Sequence, residues 1–79
     1  MTTAKNKEKV LTLDAREMEP PLPFVKALEA LDGLKPGTNL RLLTRWRPAL
    51  LFPELERRGF TGASEELPDG SHVTHIRSD

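Results

Sequence analysis

The sequence predicts an α+β fold, an α/β two-layer sandwich in the order β-α-β-α-β-β. Four strands form one mixed sheet with two helices on one face. Three observations carry this prediction. Two segments space their apolar residues as helices do, Phe24-Val25-Leu28-Leu31 and Leu51-Phe52-Leu55, and each opens near proline and closes on glycine. Short alternating stretches lie before and after them. Pro68-Asp69-Gly70 separates the last two stretches, and Asp-Gly is a strong hairpin signal.

Residues 1–8, MTTAKNKE, are polar and without periodicity, and read as a disordered tail. They lack the apolar core of a secretory signal. Residues 9–14, KVLTLD, alternate, with Leu11 and Leu13 opposite Val10 and Thr12; this is strand one. Pro20, Pro21 and Pro23 crowd the next connection. Proline has no N–H to donate, so it suits a helix's first turn. Helix one is predicted over 21–32, with Gly33 as C-cap. Pro36-Gly37 is a turn, and 39–44, NLRLLT, is strand two. Helix two is predicted over about 48–58 with an irregular start, because Pro53 is awkward in a helix interior. Strand three spans 60–67 and strand four 71–77. A β-α-β crossover is right-handed and makes strands one and two parallel. Such a sheet buries one face under its helices and leaves the other open.

Composition narrows the function classes. The 79 residues fit one domain, assigned here to 9–79. A single core of this size supplies about 3–5 kcal/mol, so a dimer interface or bound partner would be a useful addition. There is no cysteine, hence no disulfide, thiolate nucleophile or Cys-type metal site. No apolar run approaches the roughly 20 residues of a membrane span. Twelve Lys+Arg against twelve Asp+Glu give zero net charge, which argues against a general nucleic-acid binder. That zero conceals a basic middle (Arg41, Arg45, Arg47, Arg57, Arg58 against Glu54 and Glu56). It also conceals an acidic end (Glu65, Glu66, Asp69, Asp79 against Arg77).

The predicted order, taken with Leu13-Asp14-Ala15, Pro21-Leu22-Pro23 and Leu34-Lys35-Pro36-Gly37, resembles the TusA/SirA-like family of small sulfur-transfer proteins. The resemblance spans about residues 9–78 and implies the same two-layer sandwich. That family's functional motif is Cys-Pro-x-Pro at the start of helix one, where a thiolate carries a persulfide at the positive end of the helix. Here Pro21-Leu22-Pro23 matches Pro-x-Pro, and Pro20 stands where the cysteine would be. Residues 13–21 look most like a cysteine-lacking branch of the superfamily, a domain of unknown function. That resemblance implies a fold, no established activity and a cytoplasmic bacterial setting.

The residues themselves offer one candidate site. Arg16 follows strand one, and Arg45, Trp46 and Arg47 follow strand two. With the strands parallel, both loops lie at the carboxyl edge of the sheet, where ligands favour open α/β sheets. Three guanidiniums and an indole there suit an anion with a flat or carboxylated body, or an acidic protein surface. The plainer alternative is solvated arginines with Trp46 packed on the sheet rim. Val10, Leu43 and Val73 are expected to form an apolar patch on the open face, suited to a partner or a second copy. His72 and His75 fall on opposite faces of strand four and share no metal ion. No catalytic constellation, phosphate-binding glycine loop or cofactor motif is evident.

The expectation is therefore a non-enzymatic binding module for a small anion or an acidic partner. One alternative is an accessory protein in sulfur or redox metabolism without the sulfur-carrying atom. Another is an RNA-binding module, because the architecture also resembles the C-terminal domain of bacterial translation initiation factor three.

Overall fold

The computed structural model describes residues 9–78, so the tail expected at 1–8 lies outside the described residues. The elements are β1 (Lys9–Asp14), α1 (Leu22–Asp32), β2 (Thr38–Thr44), α2 (Leu51–Arg57), β3 (Phe60–Glu66) and β4 (His72–Ser78). This is the expected order and the expected two-layer architecture. The sheet runs β1-β2-β4-β3, with β1 parallel to β2 and the other neighbours antiparallel. The last strand of the chain thus takes a central place.

Proline chemistry sets both helix starts. Pro21 is the N-cap of α1 and Pro23 falls in its first turn, where a missing N–H breaks no hydrogen bond. The Pro20–Pro21 peptide bond is cis. The regular part of α2 is shorter than the predicted 48–58. With Leu50 as its N-cap, Pro53 becomes its third residue, still within the first turn. Residues before it make a loose turn, in which the Leu51 amide donates to the Pro48 carbonyl at 3.0 Å.

Alternation then builds the core. One face of the sheet carries the row Leu13, Leu42, Thr74, Ser64 and, below it, Leu11, Leu40, Ile76, Gly62. Leu40, Leu42 and Ile76 are fully buried against Ala27 and Leu31 of α1 and Leu51 and Leu55 of α2. The buried Thr74 hydroxyl donates to Ser64 Oγ at 3.2 Å, which satisfies that polar group beneath the helices. Gly62 lets α2 lie close: a Cβ there would meet Leu55 Cδ1 at 2.5 Å.

The open face differs from expectation in one respect. Ile76 and Thr74 point to the helices and Val73 to the open face, as the alternation requires. Yet no patch of three exposed apolar residues results. Leu43 and Val73 oppose each other on the two central strands and are only 8% and 3% exposed. Asp14 and Glu65 flank that pair in the same row, so each member has neighbours on both sides. Val10, on the edge strand, is 59% exposed. Much of the remaining face is polar, with Thr12, Arg41, His75 and Arg77. His72 lies on the helix-covered face and His75 on the open one. Among the described residues no cluster of His, Asp or Glu could hold a metal ion, and no helix is long and apolar enough to cross a membrane.

Candidate functional site at the carboxyl edge

The parallel pairing of β1 and β2 brings both following loops to one edge, and the antiparallel β4 brings its preceding turn there as well. Ala15 is the hinge of this edge. Its amide donates to the Leu43 carbonyl at 2.8 Å, and its side chain is buried in the core. Arg16 is therefore held just outside the sheet. Its Nε and a terminal nitrogen grip both Asp14 oxygens, at 2.9 and 2.8 Å. The guanidinium hydrogen bonds hold the Asp14 carboxyl down at about 2, below its ordinary 3.8, and the same bonds raise the pKa of Arg16.

The hairpin turn faces this pair. Asp69 Oδ1 accepts from the Ser71 hydroxyl at 2.6 Å and from the Ser71 amide at 3.0 Å. Those two bonds, the hydroxyl first, lower the Asp69 pKa. Its other oxygen lies 4.0 Å from Arg16. A polar cavity of about 280 Å³ opens between the loops, lined by Arg16, Glu17, Arg45, Asp69, Gly70 and Ser71.

Arg45 stands on the far wall of that cavity. Its Nε donates to the Arg16 carbonyl at 3.2 Å, and its guanidinium lies 6.0 Å from the Trp46 ring centroid. On its other side is a second cavity, of about 210 Å³, whose lining is almost wholly apolar. Pro20, Pro21, Pro23 and Phe24 from the start of α1 form one wall, with Met18. Trp46, Pro48 and Leu50 form the other. Trp46 is 59% exposed and Leu50 is 78% exposed, a high value for residues of this size beside a groove. The Thr44 hydroxyl fixes the loop by donating to the Trp46 carbonyl at 2.6 Å.

The four residues singled out in the sequence therefore separate into two groups. Arg16, Arg45 and Trp46 come together at the edge. Arg47 turns away, its guanidinium 4.8 Å from the Phe52 ring centroid on α2. The proline cluster lines the apolar groove. Sequence reasoning missed Met18, Phe24 and Leu50, and the turn residues Asp69 and Ser71. The signal for Leu50 was present: Ala49-Leu50-Leu51 is apolar throughout, yet only Leu51 lies on the helix's inward stripe. The turn was also accessible, since a strand antiparallel to β2 must begin at β2's carboxyl end.

The basic middle of the sequence is partly consumed within the fold. Arg58 bonds Asp32 at 2.7 Å, joining α2 to the end of α1, and Arg57 bonds Glu54 at 2.8 Å. Among the described residues, Arg45 and Arg47 make no ion pair.

Fold and edge together define a small two-layer α+β module with paired polar and apolar cavities at the carboxyl ends of its parallel strands. The chain belongs to the family described as "Uncharacterized conserved protein (DUF2249)", whose model matches residues 12–78. No curated protein and no solved structure matches it.

Proposed function

We propose that this chain is a non-enzymatic binding module that holds an acidic partner segment on its carboxyl edge. The anionic group sits at Arg45 and an apolar side chain beside it fills the groove. One observation supports this above the others: Arg45 lines both cavities and lacks an ion pair among the described residues. A guanidinium at the seam of a polar and an apolar cavity matches a carboxylate next to a leucine- or phenylalanine-sized group. Prolines and an exposed indole make the groove stiff, so little conformational freedom is lost on binding.

Trp46 is the only tryptophan and reports directly on this site. Titrating its fluorescence with short Leu-Glu or Phe-Glu peptides is expected to give saturable quenching or a shift. The same peptides with Gln in place of Glu are expected to bind at least tenfold more weakly, as for a lost charge-assisted hydrogen bond of about 1.5–3 kcal/mol. Arg45→Gln should remove that difference, and Leu50→Asp should weaken both series. Equal binding of the Glu and Gln peptides to the wild-type chain would overturn the reading.

The second reading is an accessory role in sulfur or redox metabolism, in the bacterial cytoplasm, as a cysteine-lacking relative of the TusA/SirA-like proteins. It is supported by the element order and by Pro21-Leu22-Pro23 at the start of α1. Pro20 lines the groove, so a Pro20→Cys variant would present a thiol to whatever docks there. Persulfide transfer to that variant from a cysteine desulfurase supports the reading; failure to dock on any sulfurtransferase counts against it.

A further inference from the structure

The two edge strands are guarded unequally. β3 carries Glu65 and Glu66 and a glycine at position 62, all features that discourage a further strand from adding to it. β1 has charges only at its ends, Lys9 and Asp14, and no proline or glycine. Its middle exposes Val10 on one face at 59% and Leu11 on the other at 49%. An edge whose middle carries no charge, proline or glycine is a template for another strand.

The backbone says which groups are on offer. The Lys9 amide donates to Gly37 and the Ala15 amide to Leu43, both toward β2. In a parallel ladder alternate residues face the neighbour, so Leu11 and Leu13 share that direction. Val10, Thr12 and Asp14 therefore turn their N–H and C=O groups outward. Among the described residues these groups have no backbone partner.

We propose that β1 pairs antiparallel with β1 of a second copy of this chain, about a two-fold axis through Thr12. The argument for a second copy is that the strand is its own complement in this register. Thr12 meets the partner's Thr12, and Val10 meets the partner's Asp14. Every outward-facing residue then exchanges hydrogen bonds with another outward-facing residue. Shifting the register by two residues leaves some of them unpaired, and shifting by one sets them against residues whose N–H and C=O groups already bond β2. On the helix face Leu11 meets the partner's Leu13, which covers the most exposed apolar residue of that face of β1. The product is one continuous eight-stranded sheet, two copies of the four-stranded one. The contact is isologous, so it closes at the dimer. It lies along the side of the sheet and is independent of the binding site proposed above.

The absence of cysteine makes the test clean. Sedimentation velocity on the full chain should show a monomer–dimer equilibrium across the micromolar to millimolar range. Thr12→Pro removes an outward N–H and leaves the β2 ladder intact, so the dimer dissociation constant should rise at least tenfold with an unchanged circular dichroism spectrum. Leu11→Lys, at a half-exposed position, should do the same if the proline variant folds poorly. Under mild oxidation Thr12→Cys should form a covalent dimer, because the two side chains face each other across the axis, whereas Ala63→Cys on β3 should not. A chain that stays monomeric throughout, a dimer indifferent to both edge variants, or cross-linking through position 63 in place of 12 would overturn the proposal.

Discussion

Arg16 and Arg45 are neighbours at the carboxyl edge, yet they differ in what they can still bind. Arg16 is already held by both oxygens of Asp14, two residues away, and faces Asp69 as well. Arg45 spends one nitrogen on a backbone carbonyl and keeps the rest. The Asp14–Arg16 pair has a titration signature. A carboxyl whose folded pKa is depressed supports the fold fully above its unfolded value, near 3.8. That support fades as pH falls through the folded value of about 2. We expect the Asp14 carboxyl carbon to titrate near 2 by NMR, and to move back toward 3.8 in Arg16→Gln. Both groups are exposed, so added salt should shrink the difference. A midpoint unaffected by Arg16→Gln would mean that the pair does not persist in solution.

At the scale of elements, the helix-to-sheet contact turns on Gly62. The nearest atom to a new Cβ is the end of the Leu55 side chain, but Leu55 is itself buried among Leu51, Leu40 and Ile76. It has little room to retreat. We expect Gly62→Ala to destabilise the chain by about 1–3 kcal/mol, the usual cost of overpacking. Thermal denaturation should show this as a drop of about 4–8 °C per kcal/mol. An unchanged melting temperature would show that α2 shifts freely on β3. This element scale is also where the sequence was most legible. The prolines before α1 and the Pro68-Asp69-Gly70 turn act through their own backbones, so they mark boundaries without knowledge of neighbours. The start of α2 was less legible, because Pro53 restricts the helix without saying which residue becomes its cap. The fate of Leu43 and Val73 was hidden for a different reason: their burial depends on facing each other across β2 and β4, a pairing between distant parts of the chain. The site was legible in its location and illegible in its rotamers. Parallel strands bring Arg16 and Arg45 to one edge, but nothing in the spacing says that Arg47 will settle over Phe52.

At the scale of the whole molecule, the order β1-β2-β4-β3 places β4 between β2 and β3, so that among the described residues β3 joins the sheet only through β4. β4 supplies Thr74 and Ile76 to the core and pairs along its length with both neighbours. We expect a chain cut after residue 71 to lose cooperative unfolding altogether, where a chain cut before residue 9 keeps it; circular dichroism during thermal melts distinguishes the two. Retained cooperativity after the first cut would mean that β1, α1 and β2 form a stable unit alone.

That central placement has a consequence under mechanical load. Drawing β4 out of the sheet breaks its ladders to β2 and β3 together, whereas drawing β1 away breaks one ladder. A pull applied at β4 is therefore shared between two sets of hydrogen bonds, and a pull at β1 falls on a single set. Under force the sheet yields first at β1.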